Sequence, residues 1–109
     1  MEYEVDFKTT GRGGWVYYHE DGVTLPFDWD VTPVGFDIYL PVPSEWDAFL
    51  NEHNANRLKG RRQVIVERIA KQVNEQKAQT ARVAIDDSGI SFSFERNWFH
   101  NLMRRVLGV

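Results

Sequence analysis

The chain has 109 residues, of which 42% are hydrophobic and 27% are charged, and it carries a formal net charge of −3. This composition is typical of a soluble globular protein, and the length predicts one domain, residues 1–109. The sequence contains no cysteine, which excludes disulfides, thiolate metal sites and cysteine nucleophiles.

No apolar run approaches the ~18 residues that a membrane-spanning helix needs, so we expect no membrane insertion. The N-terminal segment MEYEVDFK is acidic and lacks the basic and then apolar layout of a signal peptide. The expected compartment is therefore the cytoplasm.

Charge divides unevenly along the chain. Residues 1–58 hold eleven acidic and three basic residues, a net −8, whereas residues 59–109 hold five acidic and ten basic residues, a net +5. Either the two halves fold onto each other and neutralise, or an acidic face stays exposed for a cationic partner.

The N-terminal part of the sequence alternates between apolar and polar residues, which predicts strands with one buried face. Asp21-Gly22 joins two such segments and is typical of a tight hairpin turn. Pro26 lacks an N–H group, so its strand should be an edge or bulged near that residue. The predicted strands are 2–7, 14–20, 23–30 and 35–40.

The pattern then becomes helical. Ser44 is a suitable N-cap, and Trp46, Phe49, Leu50 and His53 share one helical face, which predicts a helix over about 44–58. Gly60 favours a break before a second helix over about 61–78. A hairpin at 81–86 and 90–95 and a last helix at 97–107 complete a predicted α+β fold with a mostly antiparallel sheet.

Three motifs resemble functional sites, but each has a simpler structural interpretation. Gly11–Gly14 lacks the following helix that a phosphate loop needs. Asp86-Asp87-Ser88-Gly89 is the composition of a tight turn. The three histidines have no metal-binding spacing, so we predict neither a metal site nor a cofactor, and we interpret His53 as a core or boundary residue.

One sheet face has an unusual composition. If Asp21-Gly22 is a two-residue turn, then Val16 and Tyr18 share the core face with Leu25, and the intervening side chains point away from it. The outward side chains of the strands 14–20 and 23–30 include Trp15, Tyr17, His19, Asp28 and Asp30. The strand 35–40 adds Asp37 and Tyr39 to the same face. Exposed aromatic residues are enriched at interaction hot spots, so these seven are the candidate binding residues.

Three functions are compatible with this face. The favoured one is a small protein-interaction domain, similar in charge and size to inhibitor or immunity proteins, that binds a basic protein. The alternative is a small enzyme or saccharide-binding protein using Asp28 or Asp30 with His19 and Tyr17. Nucleic-acid binding through basic residues 59–82 is least expected, because acidic residues interrupt that segment. A competing structural possibility is that the helix at 61–78 covers the face, with Arg68 and Lys71 pairing its carboxylates.

Overall fold

The computed structural model describes residues 2–94, which form a six-stranded antiparallel sheet, two α-helices and a short 3-10 helix. The strands are β1 (Tyr3–Thr10), β2 (Gly13–Glu20), β3 (Val23–Thr32), β4 (Gly35–Tyr39), β5 (Arg82–Asp86) and β6 (Gly89–Ser93). Their order across the sheet is β1-β2-β3-β4-β6-β5. The predicted α+β class is confirmed. The expected helix at 97–107 and the end of the strand at 90–95 lie outside the described residues.

The β2–β3 hairpin has the predicted register. Asp21 and Gly22 both have positive φ, 53° and 77°, as a two-residue turn of this type requires. Glu20 consequently pairs with Val23, and the ladder continues to Gly13 and Asp30. This register fixes which side chains of β2 and β3 share a face.

Both helices pack against the same face of the sheet. They are α1 (Pro43–Glu52) and α2 (Arg62–Lys77), separated by a 3-10 helix over Asn56–Leu58. The aromatic ring of Phe27 lies nearly parallel to that of Trp46 at 6.3 Å, and Ile65 and Ile69 of α2 are fully buried. The alternating apolar residues of the strands thus form one core with the helices.

The first helix is shorter than predicted. It ends at Glu52 because Asn54 adopts a left-handed conformation (φ 53°), which asparagine tolerates. The N–H of Ala55 donates to the carbonyl of Leu50 at 2.8 Å, which closes the last turn.

The start of the first helix also differs from the prediction. The helix begins at Pro43 with Val42 as N-cap, so the expectation of a Ser44 cap was wrong. Proline suits the first helical position because its missing N–H would have no partner there.

The predicted break between the helices is confirmed, and Gly60 has a φ of 80°. The guanidinium of Arg62 stabilises the start of α2 by donating hydrogen bonds to the carbonyls of Pro41 and Asp87, at 3.0 and 2.8 Å.

None of the helices within residues 2–94 is long and apolar enough to cross a membrane.

Strand bounds also differ from prediction. β1 continues to Thr10 rather than ending at residue 7, because Thr9 and Thr10 pair with Gly14 and Gly13.

The strand that contains Pro26 is only partly paired on one side. β3 is an interior strand, but its ladder with β4 covers only Trp29–Thr32. The β4 side of β3 is therefore unpaired at Pro26, which agrees with the predicted local edge.

Candidate functional site

The sheet face opposite the helices carries all seven candidate residues. We call it the outer face; its candidate residues are Trp15, Tyr17, His19, Asp28, Asp30, Asp37 and Tyr39. Trp15 and Tyr39 remain 41% and 48% exposed, and Asp28 and Asp30 are exposed as well. The other three side chains are half-buried. Two large aromatic rings and two carboxylates are therefore available to solvent on one surface.

The aromatic side chains of β2 form a continuous row. The rings of Trp15 and Tyr17 stack at a centroid distance of 6.4 Å, and the same distance separates Tyr17 from His19. His19 is fixed by its neighbours: Nε2 lies 2.9 Å from Asp6 Oδ2, and Nδ1 lies 2.8 Å from Thr24 Oγ1. The imidazole thus ends the row in an ordered position.

The carboxylates of the outer face lie on adjacent strands. Asp30 of β3 pairs directly with Asp37 of β4, and Asp28 pairs with Trp15. Like charges opposite each other in a sheet are destabilising, by a few tenths of a kcal/mol up to about 1 kcal/mol. Within residues 2–94, the ion pairs involve other carboxylates, so these three are not neutralised there.

The possibility that α2 covers this face was wrong. Arg68 reaches the opposite face of the sheet, where Nη1 donates to Tyr18 Oη at 2.9 Å and to Glu20 Oε1 at 2.8 Å. Lys71 is exposed on α2. The reason is the alternation of β2, which directs Tyr18 and Glu20 toward the helices and Trp15 away from them.

A buried ionic cluster ties α2 to the sheet. We call it the Glu20 cluster; its members are Tyr18, Glu20, Arg61 and Arg68. The carboxylate of Glu20 is completely buried and accepts hydrogen bonds from Tyr18 Oη and from both arginines. Burial, followed by the hydrogen bond to Glu20, raises the pKa of Tyr18 to about 12. These contacts satisfy the buried charge, which would otherwise be very costly.

The cluster was not recognised in the sequence, although one signal was present. Glu20 follows Val16 and Tyr18 at the same period-two positions, so the pattern already placed it on the core face. A carboxylate in that position requires a cationic partner. The sequence does not indicate which cation, because Arg61 and Arg68 lie 41 and 48 residues away.

A shallow groove of about 500 Å³ crosses the outer face. We call it the Trp15–Tyr39 groove; it is lined by Thr10, Arg12, Gly13, Gly14, Trp15, Asp28, Trp29, Asp30 and Tyr39. Gly13 leaves room for the carboxylate of Asp30 in this groove, because a Cβ atom at position 13 would lie only 2.5 Å from Asp30 Oδ1. The groove thus brings together two of the three predicted carboxylates and two of the predicted aromatic residues.

Of the residues in the enzymatic alternative, His19 is not brought close to Asp28. Trp15 and His19 are four residues apart on β2, about 13 Å along the strand, so His19 lies well away from the side chain of Asp28 beside Trp15. No group of three or more histidine or acidic residues in the described part of the chain could hold a metal ion.

The other motifs have the structural roles expected of them. Asp86 Oδ1 accepts hydrogen bonds from Ser88 and Gly89, which complete the turn between β5 and β6. The bonds from Ser88 lower the pKa of Asp86. His53 is half-buried and its Nδ1 lies 2.9 Å from the carbonyl oxygen of Phe49, as expected of a boundary histidine.

No protein-family model matches this chain, and comparisons with curated proteins and with solved structures found no significant match. The chemistry of the outer face is therefore the basis on which a function can be proposed.

Proposed function

We propose that this chain is a small, acidic, cytoplasmic protein-interaction domain that binds a basic protein through its outer face. The observation that carries the proposal is that α1 and α2 pack on one side of the sheet, while Trp15, Tyr39, Asp28 and Asp30 are exposed on the other. An inhibitor or immunity protein is the nearest functional analogy, on charge and size alone.

The aromatic residues support a binding role. Trp15 and Tyr39 each expose more than 40% of their surface, at a cost in solubility that a binding partner would remove. Tryptophan and tyrosine dominate interface hot spots, because they bury a large area while losing little conformational entropy. The stacking of Trp15 on Tyr17 also restrains the anchor before a partner arrives.

The carboxylates support a cationic partner. Asp30 and Asp37 stand opposite each other without an ion pair from residues 2–94. A group of uncompensated negative charges accelerates the encounter with a positively charged protein. The outer face is also shallow, and His19 is held by Asp6 and Thr24 rather than aimed at Asp28, which favours binding over acid–base catalysis.

The test is affinity capture from the native host, with the wild-type chain and the Asp28→Asn/Asp30→Asn double variant as parallel baits. We expect the wild-type chain to retain a basic protein that the double variant loses, and raised salt to release it. With the purified partner, the double variant should reduce the association rate and its dependence on salt, because those charges steer the encounter.

The matched control is Glu67→Gln/Glu75→Gln, which removes two charges from the exposed surface of α2. It should leave capture unchanged. Trp15→Ala should instead raise the dissociation rate, with a loss of about 2 kcal/mol or more in binding free energy if the ring is an anchor. Equal capture by the wild-type chain and the Asp28/Asp30 double variant would contradict the proposed function.

A further inference from the structure

Three side chains cross the outer face in one line. The β2–β3 register pairs Trp15 with Asp28, and continuation of the β3–β4 register, in which Trp29 pairs with Ile38, places Asp28 beside Tyr39. All three line the Trp15–Tyr39 groove. A carboxylate thus lies between two exposed aromatic rings on neighbouring strands.

The spacing of this line suits a flat cation. Hydrogen-bonded strands are about 4.8 Å apart, so β2 and β4 are separated by about 9.6 Å where the β3–β4 ladder ends, one residue from Asp28 and Tyr39. A planar group stacked between two rings needs about 7–8 Å, since each face-to-face contact takes about 3.5–4 Å. The space above Asp28, between the side chains of Trp15 and Tyr39, is therefore wide enough for a planar group.

We infer that the Trp15–Tyr39 groove receives an arginine side chain of the partner, with its guanidinium between the rings and bonded to Asp28. This inference rests on the proposed function and specifies its ligand chemistry. A guanidinium is planar, stacks on aromatic faces and can donate two parallel hydrogen bonds to one carboxylate. A lysine ammonium is a compact, strongly hydrated charge that offers neither the stacking nor the paired bonds.

The surroundings of Asp28 are consistent with such a ligand. Asp30 lies in the same groove and adds a second negative charge, and Gly13 leaves room for its carboxylate. Arg12 also lines the groove, but it is exposed and forms no ion pair with Asp28 or Asp30. Among residues 2–94, no cation therefore occupies the bonding positions of Asp28.

The inference can be tested on the full chain before any partner is known. The probes are three blocked peptides of identical sequence that carry one arginine, one lysine or one citrulline among glycines. Binding is followed by NMR through the indole N–H signal of Trp15, which is assigned by its loss in Trp15→Phe. We expect saturable millimolar binding of the arginine peptide, binding of the lysine peptide weaker by about fivefold or more, and none of the uncharged citrulline peptide.

The variants separate this site from general attraction to negative charge. Asp28→Asn and Tyr39→Ala should each remove the preference for arginine, whereas Glu67→Gln on α2 should keep it. Equal binding of the arginine and lysine peptides, or an unchanged preference in Asp28→Asn, would overturn the arginine site. Neither result would affect the proposed function, which fails instead if the Asp28/Asp30 double variant still captures the same basic protein.

Discussion

The carboxylate of Glu20 is stable inside the protein because three side chains share its two oxygens. Arg61 donates to Oε2 at 2.5 Å, while Arg68 and Tyr18 both contact Oε1. Arg68 also lies over the ring of Tyr3, with its Cζ atom 4.5 Å from the centroid. Each group in this cluster depends on the others, since removal of any one leaves a polar atom without its partner.

The hydroxyl of Tyr18 gives this cluster a measurable pH dependence. Burial and the bond to Glu20 raise the pKa of Tyr18 from 10.0 to about 12 in the folded state. Because the folded pKa is the higher one, the protonated hydroxyl stabilises the fold fully below about pH 10, and this contribution disappears as the pH rises toward 12. We expect the difference in unfolding free energy between the wild-type chain and Tyr18→Phe to shrink over that interval. Urea denaturation at several pH values measures it, and a constant difference would contradict the prediction.

Side-chain direction on β2 could be predicted from sequence, whereas the partners of Glu20 could not. Alternation is a local property of an extended backbone, so Trp15 and Tyr18 had to lie on opposite faces once the turn was fixed. The cations that neutralise Glu20 arrive with α2, and their choice depends on tertiary packing. For the same reason the sequence could not exclude a pairing of Arg68 with the carboxylates of the outer face.

Among the elements, the β2–β3 hairpin determines the composition of the outer face. A shift of one residue in its register would move every side chain of one strand to the other face. The turn at Asp21 and Gly22 prevents that shift, because both residues adopt positive φ. The end of α1 was harder to predict: its apolar face extends to His53, and nothing local requires Asn54 to adopt the left-handed conformation that ends the helix.

Substitutions at Gly22 test this turn. A Cβ at Gly22 would meet no atom within 4 Å, so any cost of substitution comes from backbone conformation. We expect Gly22→Val to lower the unfolding free energy by about 1–2 kcal/mol, since a β-branched residue resists positive φ. Gly22→Asn should cost clearly less, and so should Asp21→Asn, which loses only an exposed ion pair with Arg57. Equal losses at Gly22 for valine and asparagine in urea denaturation would show that the turn does not require positive φ.

At the scale of the whole molecule, the acidic and basic parts of the sequence neutralise each other only in some places. Arg61 and Arg68 of the basic half pair with Glu20, and Lys59 pairs with Asp47 at 3.9 Å. These pairs lie away from Asp28, Asp30 and Asp37 of the outer face, which form no ion pair within residues 2–94. Neutralisation between the two halves is therefore seen on the helix side of the sheet, while these three carboxylates on the other side have no ion pair within residues 2–94.

The loss of carboxylate charge should consequently have different effects on the unfolding free energy on the two sides of the sheet. Asp28→Asn/Asp30→Asn removes exposed charges and relieves the repulsion between Asp30 and Asp37, so we expect the unfolding free energy to change by less than about 0.5 kcal/mol or to rise slightly. Any such rise should shrink at high salt, where exposed charges are screened. Glu20→Gln is the matched contrast: it leaves two arginines beside a neutral, buried amide and should cost about 3–5 kcal/mol. Urea denaturation of both variants at low and high salt measures these effects. A clear loss of stability in the double variant would mean that the outer carboxylates have a partner within the chain, and the proposed binding face would then already be occupied.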